Sequence, residues 1–268
     1  MMEAMLNYAR VCEEAVRTGG EIVQDWVGRA DVWKKGPADL VTQADLASQE
    51  AIREIVLDAF PDHSLLGEED QVAPGPRERT EYRWIADPLD GTTNYVHGVG
   101  HYAISLALER NGELLAAAVY DPNRDECFTA IAGQGARLNG KPIHTSSVSQ
   151  FSEGLAAVGF PNDLRPDSPD LLVFLAAAPL CQAIRRTGST ALNLCYLAAG
   201  RFDLFWSYSA KIWDVAAGIL LVEEAGGAVT SPNGEQFVLE ETHFLAAANG
   251  ALCAKLLDLA TGALRTQR

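Results

Sequence analysis

The chain has 268 residues, of which 48% are hydrophobic, enough to fill one large α/β domain or two closely packed halves. Its formal net charge of -15 disfavours binding to nucleic acid and to anionic lipid surfaces, and no Lys/Arg run overrides that charge. The five cysteines are scattered without a pair motif, which indicates free thiols in a reducing compartment. Because neither a signal-peptide pattern nor a membrane-length apolar window is found, these features predict a cytoplasmic protein.

Two helices are predicted in the first part of the chain. Apolar side chains recur at three- and four-residue steps from Met5 to Trp26, which is typical of one face of a long amphipathic helix. Residues 31–37 break this pattern. A second helix is predicted to begin after Thr42, whose side chain can cap it, and to end at Phe60 before a proline. Asp45 then lies in its first turn.

Short β-strands are predicted next. An apolar strand signal at 64–66 precedes Gly67, and further runs of β-type residues follow at 82–86, 103–109, 114–120 and 126–130. Asn111-Gly112 supplies a hairpin turn, and the glycine-rich segment 132–141 predicts turns at the rim of a sheet. These elements predict an antiparallel sheet at the centre of the fold.

Strand and helix patterns alternate after about residue 150, which predicts a layered α/β arrangement. The predicted strands lie at 156–160, 183–186 and 244–248, and the predicted helices lie before Pro179, over 190–199, over 214–225 and from Ala251 onward. We therefore divide the chain into an α+β half over 1–145 and an α/β half over 146–268, which together form one compact unit.

The segment WIADPLDGTTN at 84–94 places two acids close together. A strand is predicted to end at Asp87, Pro88 prevents its regular continuation, and Asp90 follows beside Gly91, so both carboxylates can turn toward one point. Two buried acids at this spacing repel each other and need cations or a shared proton. Mg²⁺ suits such sparse carboxylates together with a phosphate, although a capped β-turn is the alternative explanation of the segment alone.

Three other acids occupy comparable places. Glu68 follows Gly67 at a strand end, where active-site acids commonly project in α/β proteins, although a solvated Glu pair is the alternative. Asp214 begins an apolar helix, and Asp45 lies near Thr42, so each could also be simply a helix cap. The backbone of Gly91 and Thr92, followed by helix-compatible residues, can offer N–H groups to a phosphate.

These segments, in this order, resemble the inositol monophosphatase family of lithium-sensitive, magnesium-dependent phosphatases. The resemblance extends from about Gly36 to Gly227. It rests on DLVT at 39–42 with Asp45, GEE at 67–69, DPLDGTTN at 87–94 with the following YVHG, GARLNG at 135–140, and WDVAAG at 213–218 leading to EEAGG.

The resemblance implies a layered αβαβα sandwich of the sugar-phosphatase type, with an antiparallel central sheet and a second, smaller mixed sheet. It implies two or three Mg²⁺ ions per site, held mostly by the first half of the chain. One ion would be held by Glu68, Asp87 and the Leu89 carbonyl, and a second by Asp87, Asp90 and Asp214. Asp45 and Thr92, with Glu68 on the same side, match the catalytic residues that orient the attacking water.

The substrate residues implied by the resemblance lie in both halves of the chain, with the specificity segments in the second. They are Asp90, Gly91, Thr92, Gly188, Ser189, Thr190, Ser207 and Asp214. The resemblance further implies a homodimer acting on a small phosphorylated metabolite, and neither nucleic acid nor membrane is an expected partner.

The chain departs from the better-known inositol phosphatases seven residues before Asp214, where Ser207 stands in place of a glutamate that bonds substrate hydroxyls. A change of placed polar group alters discrimination between substrates. Inositol monophosphate or a similar polyol or sugar phosphate is the expected substrate. Fructose 1,6-bisphosphate, histidinol phosphate and 3′-phosphoadenosine 5′-phosphate remain alternatives, as does a non-catalytic regulatory protein of the same fold. Lys211, Arg185 and Arg186 could bind a second anionic group or be ordinary surface charges.

Overall fold

The computed structural model of the chain describes residues 2–36, 39–72 and 80–265. Its helices are α1 (Met2–Asp25), α2 (Gln43–Ala59), α3 (Thr92–Val96), α4 (Pro169–Ala177), α5 (Thr190–Ala198), α6 (Ile212–Glu224) and α7 (Gly250–Arg265). None of these described helices combines the length and the apolar character that crossing a membrane requires.

The strands form one large sheet, one smaller sheet and a separate hairpin. The hairpin pairs β1 (Val32–Gly36) with β2 (Asp39–Thr42). The large sheet has the order β3 (Ser64–Gly67), β4 (Tyr82–Asp90), β5 (Ala103–Arg110), β6 (Glu113–Asp121), β7 (Glu126–Ile131), β8 (Ala136–Leu138) and β9 (Lys141–Ile143). The smaller sheet has the order β11 (Ala183–Arg185), β10 (Leu155–Val158), β12 (Leu204–Ser207), β14 (Phe244–Ala247) and β13 (Ala228–Thr230).

Three buried apolar clusters separate five layers of structure. Successive side chains of a strand point to opposite faces of a sheet, so each sheet can contact two clusters. On β4, Trp84 packs into the cluster shared with α1 and α2, whereas Ile85 packs into the cluster shared with α5 and α6. On β12, Phe205 joins that same central cluster, and Trp206 faces the third cluster with α4 and α7. The result is the αβαβα sandwich that the family resemblance implied.

Most predicted helices are confirmed, and local interactions explain where they begin. The side chain of Thr42 accepts a hydrogen bond from the Ala44 N–H at 3.1 Å, and the carboxylate of Asp45 accepts one from the Thr42 N–H at 2.9 Å. This reciprocal capping box satisfies two otherwise unpaired donors. Asp45 is therefore both the predicted first-turn residue and part of the cap.

Several predictions of local structure were wrong. The first helix does end before the break predicted at residues 31–37, but the strand β1 within this segment was not predicted, and Pro37 lies outside the described residues. The strand predicted to stop at Asp87 continues to Asp90, because an irregularity between these residues absorbs Pro88. The glycine-rich rim contains β8 and β9 as well as turns, and β12 and β13 were not predicted.

The central sheet is antiparallel apart from its edge, where β3 pairs in parallel with β4. The second sheet is mixed, as expected, since β10 pairs in parallel with β11 and β12 while β14 pairs antiparallel with its neighbours. Since α5 and α6 pack against strands of both sheets, the boundary at residue 145 divides elements that share one core. The two halves therefore remain a proposed description.

Candidate active site

A cleft of about 830 Å³ is lined by residues between 35 and 94 and between 158 and 243. Its walls are formed by the β1–β2 hairpin, the end of β4 with α3, the end of β10 and the turn before α5. The segment from the end of β12 into α6 completes them, together with Glu240, Thr242 and His243. Of the residues predicted from the sequence, the cleft is lined by Glu68, Asp87, Leu89, Asp90, Gly91, Thr92, Gly188, Ser189, Thr190, Ser207 and Asp214. Asp45 lies behind this wall and reaches it through Thr92.

Three helices begin at the cleft. Gly91 is the N-cap of α3, Ser189 that of α5 and Lys211 that of α6, and all three line the cleft. The first N–H groups of a helix lack intrahelical partners and carry partial positive charge. This arrangement favours an anionic ligand or anionic side chains between the three helix starts.

Asp87 and Asp90 are held in place by backbone and hydroxyl donors. Asp87 is 1% exposed and accepts a hydrogen bond from the Leu89 N–H at 3.0 Å. Asp90 is 8% exposed and accepts bonds from the Ala191 N–H at 2.7 Å, the Thr190 N–H at 3.2 Å and the Ser189 hydroxyl. These bonds join the end of β4 to the start of α5.

The acids of the cleft perturb one another's ionisation. Burial, followed by repulsion from Glu68, Asp90 and Asp214, raises the pKa of Asp87 well above its usual value. Burial and the charge of Asp90 likewise raise the pKa of Asp214. The pKa of Asp90 is raised by burial to about 6, although its hydrogen bonds to α5 oppose the rise. The cluster therefore has an excess of negative charge for its buried position.

Lys35 partly offsets this negative charge, and the sequence analysis did not single it out. Its ammonium group lies 3.0 Å from Glu68 Oε1 and 2.6 Å from Glu69 Oε1. Burial works against the ammonium charge, but the two glutamates raise the pKa of Lys35 overall. Glu69 is buried, and burial raises its pKa to about 7. The β1–β2 hairpin was not predicted, so no sequence signal placed Lys35 in the cleft.

Asp45 and Thr92 are in contact, as the resemblance implied. The Thr92 hydroxyl lies 3.2 Å from Asp45 Oδ1 and 3.0 Å from the Leu89 carbonyl oxygen, and it can donate to either. Burial raises the pKa of Asp45 to about 6, although its bonds from Thr42 lower it. The pair therefore presents an oriented hydroxyl, supported by a buried carboxylate, to the cleft.

The predicted substrate residues differ in what their side chains contact. Ser189 is 1% exposed, and its hydroxyl bonds to Asp90 and accepts from the Leu192 N–H, so it caps α5. Gly188 has φ of +93°, and a β-carbon there would lie 2.8 Å from Asn94 Nδ2. Ser207 ends β12, lines the cleft and is 2% exposed.

Asn94 is a second residue of the site that sequence reasoning missed. Its amide nitrogen donates to the carbonyl oxygens of His101 at 2.7 Å and Thr187 at 2.9 Å. One side chain thus ties α3 to the turn that carries Gly188. Its position in the DPLDGTTN segment was the only available signal, and that signal does not reveal a contact across 93 residues.

The chemistry of the cleft fits divalent cations of the Mg²⁺ type. Its donors are carboxylate and carbonyl oxygens, which Mg²⁺ prefers, and their mutual repulsion would be relieved by bound positive charge. Within residues 2–36, 39–72 and 80–265, no group of three or more His, Cys, Asp or Glu side chains is close enough to hold a metal ion without further ligands. Mg²⁺ usually keeps several waters and binds substrate phosphate, so a partial set of protein ligands is sufficient.

In the absence of metal ions, stability should fall as pH rises through the range where the buried acids ionise. Asp45 and Asp90 have pKa values of about 6 in the folded protein, and the pKa values of Asp87 and Asp214 are also raised. Unfolded Asp titrates at about 3.9, so the folded state binds these protons more tightly, and the stability that Asp45 and Asp90 contribute is lost between about pH 4 and about pH 6. In EDTA, we expect a higher melting temperature at pH 5 than at pH 7.

Asp87→Asn provides the comparison for that measurement, since it removes one charge from the cluster. We expect a weaker dependence of melting temperature on pH in this variant than in the original chain. If both proteins show the same dependence in EDTA, the coupling among these acids does not control metal-free stability.

The five-layered sandwich and its acid-lined cleft, which faces three helix starts, place the chain among the sugar-phosphatase-like folds. The sequence profile of the inositol monophosphatase family matches residues 4–263. The chain belongs to the inositol monophosphatase family, a family of phosphatases.

Individual relatives agree with this assignment. The chain is 41% identical over 251 residues to the Nus factor SuhB of Pseudomonas aeruginosa, covering 91% of this chain and 92% of the relative. It is 42% identical over 234 residues to the inositol-1-monophosphatase of Rhizobium meliloti, covering 86% of each. The crystal structure of the extragenic suppressor protein suhB from Bartonella henselae has a TM-score of 0.86 and 36% identity, covering 94% of this chain and 97% of that one.

Proposed function

We propose that this protein is a Mg²⁺-dependent phosphatase that hydrolyses the monoester of a small phosphorylated polyol or sugar, with inositol monophosphate as the leading substrate. The observation that supports it best is the meeting of Glu68, Asp87, Asp90 and Asp214 in one cleft with the starts of α3, α5 and α6. The family assignment and the relative named inositol-1-monophosphatase support the same reaction class.

Each acid has a proposed ligand role. Glu68, Asp87 and the Leu89 carbonyl would hold one ion, and Asp87, Asp90 and Asp214 a second, with a weaker third ion possible. Bound Mg²⁺ would neutralise phosphoryl oxygens, lower the pKa of the attacking water and stabilise the leaving alkoxide. The helix starts at Gly91 and Thr92 would orient the phosphate through backbone N–H groups.

Thr92 and Asp45 would orient the water. The Thr92 hydroxyl proton points to Asp45 Oδ1 or to the Leu89 carbonyl, so the hydroxyl oxygen is left to accept. A water beside it must therefore donate to Thr92, which turns a lone pair of that water toward phosphorus. Glu68 would contribute from the same side, and Asp45, acting through Thr92, supplies a base within reach of the proton released.

The direct test is phosphate release from four compounds: inositol 1-phosphate, fructose 1,6-bisphosphate, histidinol phosphate and 3′-phosphoadenosine 5′-phosphate. We expect release with Mg²⁺ and none in EDTA, with inositol 1-phosphate the best substrate. Preferred turnover of another compound would keep the reaction class and change the substrate. No release from any of them by folded, Mg²⁺-loaded protein would contradict the proposal.

A non-catalytic regulatory role is the second candidate. The relative from P. aeruginosa carries the name Nus factor, and it is 41% identical to this chain. The phosphate-release test separates the two roles, because a regulatory protein need not turn over any ester. The proposed homodimer and the expected lack of nucleic-acid binding also remain predictions.

The cationic side chains near the cleft lead to a prediction about substrate charge. Arg186 and Lys211 line the cleft, whereas Arg185 does not and instead donates to the Ile184 carbonyl at 3.2 Å. If a second anionic group binds there, Arg186→Met and Lys211→Met should lower kcat/KM for fructose 1,6-bisphosphate by up to about fivefold each, as for exposed ion pairs. Inositol 1-phosphate should be little affected.

Arg185→Met is the matched control for those substitutions, because Arg185 is exposed and adjacent but lies outside the cleft. Equal changes on both substrates, or no change on either, would show that Arg186 and Lys211 are ordinary surface charges.

A further inference from the structure

Asp170 is a buried carboxylate that the proposed reaction does not use. It lies in the first turn of α4, directly after Pro169, and is 1% exposed. In the part of the chain that the structure describes, no Lys or Arg forms an ion pair with it. Burial raises the pKa of Asp170 to about 6, against the lowering effect of its hydrogen bonds. Burying a carboxylate without an ion pair costs free energy, so the groups that bond to Asp170 indicate what it does.

Asp170 holds the segment that leaves the end of β12. Its Oδ1 accepts a hydrogen bond from the Tyr208 N–H at 2.8 Å, and the nearby Ser209 side chain slightly lowers the pKa of its carboxylate. Its backbone carbonyl accepts from Trp206 Nε1 at 3.4 Å. The start of α4 is thus joined to Trp206 and Tyr208, the residues on either side of Ser207.

This segment forms one wall of the cleft. Ser207, Tyr208 and Ser209 all line it, while Asp170 does not. The Ser207 and Ser209 hydroxyls lie 3.4 Å apart, and Ser207 Oγ also accepts from the Ser209 N–H at 3.3 Å. Two neighbouring hydroxyls are therefore held in a defined arrangement at the cleft.

The backbone of Gly159, just after the neighbouring strand β10, packs closely against Ser207. Gly159 directly follows β10 and donates its N–H to the Trp206 carbonyl at 3.1 Å. A β-carbon at 159 would lie 2.9 Å from Ser207 Oγ, closer than such contacts normally are. The Ser207 hydroxyl consequently has room only while residue 159 has no side chain.

We propose that Asp170 is a positioning residue for substrate selection: it orders segment 207–209 so that Ser207 and Ser209 bond the alcohol part of the phosphate ester. Each of these hydroxyls can donate to one substrate hydroxyl or accept from it. The segment thus selects a neutral alcohol with neighbouring hydroxyl groups. This inference rests on the phosphatase function proposed above.

The test compares inositol 1-phosphate, which has neighbouring hydroxyls, with p-nitrophenyl phosphate, whose leaving group has none. Asp170→Ala should lower kcat/KM for inositol 1-phosphate by about tenfold, mainly through KM, which corresponds to one lost hydrogen bond. Turnover of p-nitrophenyl phosphate should stay within about twofold, and Asp170→Asn, which keeps an acceptor for the Tyr208 N–H, should recover part of the loss.

Two further variants test whether Asp170 acts through the hydroxyls of Ser207 and Ser209. Ser209→Ala should reproduce the selective loss, and the double variant Asp170→Ala/Ser209→Ala should lose little more, because Asp170 is proposed to act through the placement of the Ser209 hydroxyl. Gly159→Ala should act in the same way by displacing the Ser207 hydroxyl. If Asp170→Ala does not fold, Ser209→Ala and Gly159→Ala still test the proposal. Asp163→Ala is the matched control, since Asp163 is an exposed acid that lines the same cleft.

Three outcomes would each overturn the inference. The first is an equal loss on both substrates, and the second is additive losses in the double variant. The third is that the original chain shows no preference for inositol 1-phosphate or another polyol phosphate over p-nitrophenyl phosphate. These outcomes leave the proposed phosphatase function standing, provided that p-nitrophenyl phosphate is hydrolysed with Mg²⁺. If no phosphate ester is hydrolysed, the proposed function itself fails, and this inference with it.

Discussion

Asp87→Asn is expected to abolish Mg²⁺-dependent phosphate release, with a loss of at least about 10³-fold in kcat, since removal of even one electrostatic stabiliser costs about 10²–10³. Asp87 is the proposed ligand common to both ions, and it lies at the centre of the repulsion among the cleft acids. The asparagine keeps an oxygen that can accept the Leu89 N–H, so the turn at the end of β4 should survive.

The same substitution should have the opposite effect on metal-free stability. Removing one buried charge relieves repulsion from Glu68, Asp90 and Asp214, so the melting temperature in EDTA should rise. Mg²⁺ should raise the melting temperature of the original chain but have little effect on the variant, because a ligand that binds only the folded state stabilises it. Activity and Mg²⁺ stabilisation are measured on the same preparations.

Asp163→Asn is the control for Asp87→Asn, since it removes an exposed acid of the same cleft. It should leave activity and Mg²⁺ stabilisation near those of the original chain. If Asp87→Asn retained substantial turnover, or if Mg²⁺ stabilised it as strongly as the original chain, the proposed metal centre would be wrong.

Thr92→Val and Asp45→Asn should each reduce kcat by about 10²–10⁴-fold, the range expected when a positioned proton acceptor is lost. Thr92→Val removes the hydroxyl that bridges Asp45 and the cleft, with little change in volume. Asp45→Asn keeps an acceptor for the capping bonds at Thr42 but loses the charge. KM and the Mg²⁺ concentration for half-maximal activity should change little.

The two changes should also be strongly non-additive, because Asp45 acts through Thr92. Thr93→Val is the control, since Thr93 is the next residue, is exposed and lines the cleft. Independent, multiplicative losses in the double variant would mean that Asp45 and Thr92 do not act as one unit. A comparable loss in Thr93→Val would mean that the start of α3 had been disturbed generally.

The local sequence was sufficient to predict the helices and turns that interactions between neighbouring residues form. The three- and four-residue steps of α1, the Thr42 cap of α2 and the Asn111-Gly112 turn each depend on residues close in the chain. Strand ends that carry Glu68 and Asp87 were visible for the same reason. The ordered motifs then allowed the family, and hence the αβαβα layers, to be predicted before any contact was known.

The contacts that complete the cleft join distant parts of the chain. Ser189 meets Asp90 across 99 residues, Lys35 meets Glu68 across 33, and Tyr208 meets Asp170 across 38. None of these pairs shares a periodic pattern or a turn signal. Their distances depend on how the sheets pack against α5 and α6, which no single segment determines.

The sequence by itself determined which residue types this protein has for its chemistry: carboxylates at strand ends and helix starts, in an order that identifies the family. It determined them because capping, turn formation and hydrophobic periodicity are local properties of the chain. Only the tertiary structure decided that Lys35 and Asn94 join the cleft and that Asp170 orders segment 207–209. Those contacts arise where separate layers meet, since burial of the shared core sets their spacing.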